Sequence, residues 1–281
     1  MSSQQAFTVG MIRILRQLGP LRRRTRMPRQ QQPDLLRLEY YKALLPFVRG
    51  FLLTAEDRSA ILRMLSVERR NEGRMDAPMR PDASLMIDRF ERIAEDDLGR
   101  KRIEETARRF GERVSGFQRE QLDKQARASL GIPLRMVEAP VVARLEGFAA
   151  ENAALIKDVS QRYFDRIRGD VMEAFERGTH PSELAEMLEE RDGMAERDVR
   201  RIARDQIGKL NGQFNEERQT QLGVTSYIWR TANDKRVRDE HRTREGRTYK
   251  WASPPAEGHP GEPVQCRCYA EPVFDDILEG L

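Results

Sequence analysis

The sequence contains few of the residues that form disulfide frameworks, metal sites or aromatic cores. Among 281 residues there are two cysteines, three histidines and two tryptophans, and aromatic residues make up only 7%. Two cysteines cannot build a disulfide framework, and a bridge between Cys266 and Cys268 would be strained because one residue separates them. The pair therefore predicts either metal ligands or reduced thiols in a cytoplasmic setting.

Long hydrophobic runs are also missing. No stretch approaches the roughly 18 consecutive apolar residues that a membrane-spanning helix needs, which excludes a transmembrane protein. Residues 7–18 are partly apolar, but Arg13 and Arg16 interrupt them. A secretory signal places its charges before an unbroken apolar stretch, so we expect no export signal.

Acidic residues are missing from the first 33 positions. This segment holds seven arginines, whereas the rest of the chain has 43 basic and 46 acidic residues, so the formal net charge of +4 arises at the N-terminus. With few large apolar side chains, residues 1–33 cannot fold alone, and we predict an arm that is flexible or ordered by a partner. Its basic residues are Arg13, Arg16, Arg22, Arg23, Arg24, Arg26 and Arg29.

Three roles are open for this basic arm. Its arginines could neutralise phosphates of double-stranded DNA, because each contact releases counterions and adds affinity that does not depend on sequence. They could dock on an acidic surface of a partner protein. The arm could also remain a solvated tail. Since Phe7 is its one aromatic residue, we do not expect it to stack on bases or to bind single strands.

The composition of the remaining chain favours helices. Charged residues make up 34% of the sequence, against about 25% in average globular domains. Apolar residues recur at spacings of three and four, which predicts an N-terminal helical region at 34–140 and a central helical region at 141–222. We expect Pro46 to break or kink the first helix, one long helix to carry residues 86–117, and a turn near Gly193.

The pattern changes after Gly223. Residues 224–231 and 248–251 are rich in β-branched and aromatic side chains, which predicts two short strands. Both tryptophans, both cysteines and two of the three histidines also lie in residues 223–281. The sequence therefore predicts a mainly α-helical protein of long amphipathic helices with a small C-terminal α+β module.

This module contains a candidate metal site. Zinc takes four thiolate or imidazole ligands, and His241, His259, Cys266 and Cys268 supply two of each within 28 residues. A small module with little apolar content would be stabilised by such a structural zinc ion. The alternative is a metal-free hairpin in which these side chains pack or form local hydrogen bonds.

The residues around His241 allow a catalytic and a structural interpretation. A histidine beside carboxylates can serve metal-assisted phosphodiester hydrolysis, with arginines holding the phosphate. The structural interpretation is a turn in which Asp234 accepts backbone hydrogen bonds while Arg236 and Arg238 form ion pairs. We favour the second, because no second acidic or histidine motif, phosphate loop or nucleophile with a base completes an enzyme.

Short motifs in a fixed order give the module a family resemblance. Trp229, Asp234, Gly246 and Gly261 are motif residues, together with the Arg236–Arg238 pair. Except for Gly246, which stands between two of them, they lie within the segments Tyr227-Ile-Trp229-Arg-Thr231, Asp234-Lys-Arg236-Val-Arg238-Asp-Glu-His241, His259-Pro-Gly261, Cys266-Arg-Cys268 and Pro272-Val273. In this order they resemble the C-terminal signature of the Mu F-like minor head proteins of tailed bacteriophages. The resemblance extends over roughly residues 80–275.

Two positions depart from that signature. Many members carry a cysteine pair where this chain has Arg238 and His241. The first potential ligand is therefore lost, and the second is a histidine instead of a cysteine. Asp205-Gln206 stands where the family helix often has Thr-Glu. Any function tied to that glutamate is in doubt for this chain.

The resemblance implies a minor head protein acting in head morphogenesis and in genome packaging or ejection. Its implied partners are the portal protein and the major capsid protein, with packaged DNA reached through the arm, and several copies in each virion. It implies a location in the phage head near the portal, and in the bacterial host cytoplasm during assembly. We expect interaction surfaces and no enzymatic activity; the alternative is a metal-dependent nuclease or related hydrolase acting on DNA through the His241 region.

Overall fold

A computed structural model describes residues 27–71, 83–97, 99–131 and 139–275. Within these ranges the chain is mainly helical, and one three-stranded sheet lies near the C-terminus, which confirms the predicted fold class. The elements in chain order are α1 (Asp34–Phe51), α2 (Ala55–Asn71), α3 (Ala83–Asp97), α4 (Arg100–Leu130), α5 (Ala139–Arg177), α6 (Pro181–Gln221), β1 (Ser226–Arg230), α7 (Asp239–Arg242), β2 (Thr248–Lys250) and β3 (Tyr269–Pro272).

Three helix boundaries differ from the sequence predictions. Helix α1 continues through Pro46, with buried Leu44 and Val48 on either side of the proline, so packing offsets the lost hydrogen bond. The stripe predicted as one helix is divided at Gly99, whose positive φ of 59° ends regular helical geometry. Helix α6 runs through Gly193 without a turn, because burial of Leu188 and Ala195 favours a continuous helix.

The described residues form two compact units, each assembled from segments that are distant in sequence. The described residues of unit 1 lie within Met1–Leu38, Arg108–Phe148 and Arg204–Leu281. Unit 2 takes its residues from Glu39–Ala107 and Ala149–Ala203. The division predicted from sequence runs consecutively along the chain, whereas these units are discontinuous because long helices contribute to both.

Unit 2 is a helical assembly held by buried aromatic and paired polar side chains. Tyr163 is 1% exposed and contacts Phe51 with a centroid distance of 5.8 Å. Its hydroxyl accepts a hydrogen bond from Leu53 N at 3.0 Å and donates one to Asp192 Oδ1 at 2.9 Å. The α1–α2 connection is thereby fixed to α5 and α6 by hydrogen bonds as well as by apolar packing.

Unit 1 contains the antiparallel sheet, in the order β2-β1-β3. Tyr227 pairs with Tyr249 on one side of β1, and Trp229 pairs with Ala270 on the other. Strand β3 was not predicted, because its sequence Tyr-Ala-Glu-Pro shows no alternation of apolar and polar residues. All four residues of β3 are buried. Strand β1 is central in the sheet, and its two aromatic residues, Tyr227 and Trp229, are buried as well.

Amide side chains connect α4 and α6 to the sheet and to the chain preceding α1. Asn215 Nδ2 donates to Ala270 O at 2.7 Å, and its Oδ1 accepts from Gln30 Nε2 at 3.2 Å. Gln30 Nε2 also donates to Gln125 Oε1 at 3.1 Å. These buried amides satisfy one another in an interior where an unpaired polar group would cost about 1–3 kcal/mol.

Residues 27–33, the end of the predicted arm, pack on unit 1. Gln31 N donates to Gln121 Oε1 at 3.0 Å, and Gln32 Nε2 donates to Arg267 O at 3.3 Å. Arg29 is exposed. The other six arm arginines, Arg13, Arg16, Arg22, Arg23, Arg24 and Arg26, lie outside the described residues, so the flexible or partner-ordered state predicted for the arm stays a prediction.

Helix α6 approaches the C-terminal loop so closely that only glycine fits. A Cβ atom at Gly212 would lie 2.8 Å from Pro260 O and 3.1 Å from Gly261 Cα, and both of these atoms belong to the backbone. Gly261 has φ 104°, a conformation that favours glycine. The two glycines therefore set the distance between α6 and the loop that leads to the cysteines.

We expect Gly212→Ala to destabilise the protein by about 2 kcal/mol, because neither backbone can move without disturbing the packing. Chemical denaturation of the purified variant measures this change. Gly147→Ala is the matched control, since Gly147 is also helical but has nothing within 4 Å of an added Cβ. The control should be more stable by about 0.5–1 kcal/mol, and equal effects of the two variants would contradict the close approach.

Candidate metal centre

Local turns bring the candidate ligands together after β1. Asp234 Oδ1 accepts a hydrogen bond from Arg236 N at 3.0 Å, and Glu245 accepts from Thr231 N at 2.6 Å. These bonds shape the loop on either side of α7, the short helix that carries His241. The structural interpretation of the motif, in which Asp234 ties a turn, agrees with this geometry.

His241, Cys266 and Cys268 form a buried cluster. His241 Nδ1 lies 3.6 Å from Cys266 Sγ and 3.4 Å from Cys268 Sγ. All three side chains are buried, and their donor atoms lie within 4.8 Å of one another. Of the four predicted ligands, three therefore converge, and this group could hold a metal ion.

The nitrogen-to-sulfur distances test whether zinc fits the cluster. With zinc–sulfur bonds of about 2.3 Å and zinc–nitrogen bonds of about 2.0–2.1 Å, a tetrahedral site separates nitrogen from sulfur by about 3.6 Å. The observed separations of 3.4 and 3.6 Å match this value. Thiolate and imidazole are also the donors that zinc prefers, so both geometry and chemistry fit.

A carboxylate orients the histidine of this cluster. His241 Nε2 lies 3.0 Å from Glu257 Oε2, so a proton on Nε2 leaves Nδ1 directed at the two sulfur atoms. Trp229 packs edge-on against the imidazole with a centroid distance of 5.3 Å. Metal-binding histidines typically have such a carboxylate on the second nitrogen. Glu257 was not found from the sequence, because no motif connects an exposed glutamate 16 residues away to His241.

The cluster also favours a thiolate. The hydrogen bond from the Cys268 thiol lowers the pKa of Cys266 well below its ordinary value, and the hydrogen bond with His241 lowers it further. The same Cys266–Cys268 bond, together with burial, raises the pKa of Cys268. The hydrogen bond with Cys266 raises the pKa of His241. Since a thiolate is the metal-binding form, Cys266 is prepared to act as a ligand.

His259, the fourth predicted ligand, occupies a different place. Its Nδ1 atom lies 2.9 Å from Tyr227 Oη, and its ring packs against Trp251 with a centroid distance of 4.8 Å. Tyr227 and Trp229 lie on the same face of β1, about 7 Å apart. Trp229 packs against His241, and Tyr227 packs against His259. Because these two aromatic residues are separated along β1, His259 does not join the cluster that His241 and the cysteines form among the described residues.

The remaining motif residues have structural positions. Trp229 is fully buried, and Gly246 and Gly261 both have positive φ angles. Arg236 pairs with Asp234 at 3.6 Å. Arg238 differs from the expected ion pair, because its Nη2 donates to the carbonyl oxygen of Val264 at 2.6 Å.

A cavity of about 450 Å³ adjoins the cluster. Four arginines line it, and the sequence motif had indicated two of them. Arg267 could have been noticed from its position between the two cysteines. Arg204 lies on α6 directly before Asp205-Gln206, within the segment that resembles the family helix, but its spacing along the chain does not place it beside the module. The cavity is lined by Arg204, Arg236, Arg238 and Arg267, with Val237 and Val264, and by the three residues of the cluster.

Unit 1 thus combines a small antiparallel sheet, helices and a buried His-Cys-Cys group, which defines a helical protein with a compact C-terminal module. Residues 165–271 match the family described as "Phage Mu protein F like protein". This match confirms the resemblance seen in the motifs for that part of the chain.

One relative is similar to about half of the chain. An uncharacterized protein of Haemophilus influenzae is 34% identical over 137 residues, which are 48% of this chain and 31% of the relative. The chain therefore spans about a third of that relative's length. No solved structure matches the chain. None of the described helices has both the length and the hydropathy required to cross a membrane.

Proposed function

We propose that this protein is a minor head component of a tailed phage or phage-like particle, associated with the portal protein and the major capsid protein. It acts there in head morphogenesis and in packaging or ejection of the genome. The observation that carries this proposal is the Mu F-like match at residues 165–271. We place the protein in the head near the portal, and in the host cytoplasm during assembly.

We propose further that a structural zinc ion binds to His241, Cys266 and Cys268. The nitrogen-to-sulfur distances, the burial of all three residues and the carboxylate on His241 support this assignment. When bound, the ion would crosslink α7 to the segment preceding β3. Two parts of the module with few apolar side chains of their own would then be held together.

In this proposal, the basic arm binds a neighbouring molecule. Its exit point is fixed by Gln31 and Gln32 on unit 1, while Arg29 remains accessible. Arginines on an arm of this kind can bind an acidic partner surface or packaged DNA. We propose that this charge binds a neighbouring molecule in the head.

Co-purification with the portal protein tests the assignment. We expect the full chain to co-purify with the portal protein of its own phage, and a full-length variant with the seven arm arginines changed to glutamine to be recovered at about one tenth of that amount. A variant with surface arginines Arg201 and Arg247 changed to glutamine is the control and should bind normally. Failure of the unaltered chain to bind the portal would contradict portal association.

We infer that the protein acts by binding and has no catalytic activity. One observation favours the competing nuclease: three donors leave a tetrahedral zinc ion with one further position, as in catalytic sites, and arginines lie nearby. A plasmid-nicking assay with zinc, magnesium or manganese distinguishes the two functions. We expect no nicking, and cleavage that His241→Ala abolishes would establish the nuclease.

A further inference from the structure

The cavity beside the metal cluster concentrates positive charge. Arg204, Arg236, Arg238 and Arg267 line it. Burial lowers the pKa of Arg37, and the positive charges of Arg267 and Arg204 lower it further, so a fifth guanidinium group is close by. Three carboxylates face these groups from the surrounding elements: Asp34, Asp205 and Asp234. The arginines therefore outnumber the acids that could neutralise them.

The carboxylates leave several guanidinium groups unsatisfied. Asp34 binds Arg37 at 2.8 Å, and Asp205 pairs with Lys209 at 2.9 Å while accepting Gln265 N at 2.6 Å. Asp234 lies 2.7 Å from Arg267. Asp34 also pairs with Arg267 at 3.5 Å, and Asp234 also pairs with Arg236 at 3.6 Å. Among the described residues, Arg204 and Arg238 therefore remain without a carboxylate partner.

Arg204 and Arg238 retain binding capacity, whereas Arg267 already pairs with Asp34 and Asp234. Arg204 has no ion pair within the part of the chain that the structure describes. Among the described residues, the hydrogen bond that Arg238 makes is to a neutral carbonyl group, that of Val264. The side chain of Arg267 is 10% exposed, and its Nε atom is buried without a hydrogen-bond partner. Buried donors of this kind normally have an acceptor, and charged donors prefer an anionic one.

The lining of the cavity narrows the class of anion. Val237 and Val264 are the apolar residues of the lining, and none of the described lining residues is a phenylalanine, tyrosine or tryptophan. The cavity therefore offers no surface on which a base could stack and no pocket that would anchor a large side chain of a peptide. Guanidinium groups without such anchors suit a phosphate group, which they bind in a forked geometry. Such contacts position nucleic acid without reading its sequence.

The location of the cavity favours a phosphate that belongs to a polyanion. Gln32 Nε2 donates to Arg267 O at 3.3 Å, so the basic arm joins unit 1 at the edge of this cavity. A DNA duplex that binds the arm would also reach the cavity, because neighbouring phosphates repeat along its backbone.

We propose that this arginine cavity is a binding site for a backbone phosphate of double-stranded DNA. The site is a property of unit 1 and does not depend on the proposed role in the phage head. It differs from the nuclease alternative because binding requires no cleavage. Inorganic phosphate carries the same kind of oxyanion as the DNA backbone, so it should compete for the same arginines.

The test measures fluorescence anisotropy of a labelled short DNA duplex with the full-length chain over a series of salt concentrations. In Arg204→Gln/Arg238→Gln we expect about tenfold weaker binding and a salt slope smaller by about 1, because the contact with the bound backbone phosphate is lost. Arg201→Gln/Arg247→Gln removes the same charge from two residues that do not line the cavity, and it should change neither value comparably. Thermal melting of each variant confirms that it is folded.

The arm is controlled separately. In a full-length background with Arg22, Arg23, Arg24 and Arg26 changed to glutamine, the cavity variant should still weaken duplex binding, and inorganic phosphate should displace the duplex. Equal affinity and salt slope for the cavity variant and its control would overturn the proposal. Two further results would also overturn it. One is that the cavity variant weakens binding of an acidic peptide but not of the duplex. The other is that it weakens binding of inorganic phosphate alone.

Discussion

His241→Ala is expected to abolish zinc binding and to lower the free energy of unfolding by more than about 4 kcal/mol, a loss typical of removing a structural metal site. His241 Nδ1 faces both sulfur atoms at 3.4 and 3.6 Å, so no other side chain of the cluster replaces it. Zinc content by elemental analysis and denaturant unfolding measure the two effects. Cys266→Ser should give the same result, as should a strong chelator added to the unaltered protein.

His259→Gln is the matched control for this prediction. It lies in the same module and was an equal candidate by sequence, but it hydrogen-bonds to Tyr227. We expect it to retain full zinc content and to lose about 1 kcal/mol, the value of one hydrogen bond. Glu257→Gln should retain the fold with zinc affinity reduced by about 10- to 100-fold, because the carboxylate orients His241.

Zinc content decides between the two interpretations of the cluster. If the unaltered protein purifies without zinc and His241→Ala leaves the thermal midpoint unchanged, the cluster is a metal-free packing arrangement. If His259→Gln loses zinc as His241→Ala does, the ligand set proposed here is incorrect.

Arg218→Met is expected to destabilise the protein by about 3 kcal/mol, because it removes a buried charged donor and leaves its acceptors unsatisfied. Arg218 is 0% exposed. From α6 it donates to Ser115 O at 2.8 Å and to Gln118 Oε1 at 2.6 Å, both on α4. Methionine retains most of the side-chain volume, so the loss reports on hydrogen bonding more than on a cavity.

Arg201→Met, on the same helix, is the control for Arg218→Met. Arg201 is 62% exposed and pairs with Asp198 at 2.8 Å, and a surface pair of this kind contributes at most about 1 kcal/mol. Denaturant unfolding of both variants gives the comparison. A loss at Arg218 no larger than that at Arg201 would show that the buried network contributes little to the stability of unit 1.

Periodicity and composition predicted the elements whose own residues specify them. The helices were correctly expected, and so were the two strands around Trp229 and Tyr249, because apolar spacing and β-branched content are local signals. Their limits were less accurate. Pro46 and Gly193 stand inside helices because burial of neighbouring residues outweighs an unfavourable local preference, whereas Gly99 ends one.

The candidate site was predictable only in part, for the same reason. Cysteine and histidine are rare in this chain, so the sequence itself singled out His241, His259, Cys266 and Cys268. It could not separate His241 from His259, because both precede the cysteines by plausible spacings. The choice between them depends on which of two aromatic residues of β1, Trp229 or Tyr227, each imidazole packs against.

By itself the sequence determined a helical protein with a Mu F-like C-terminal module, a basic N-terminal segment and a small set of candidate ligands, since residue type, spacing and order suffice for these. Only the tertiary structure decided which three ligands converge, that Glu257 orients one of them, and that Arg204 of α6 joins the arginines of the C-terminal loops. These contacts join residues far apart in the chain. Their formation depends on how helices and strands pack, which no local pattern encodes.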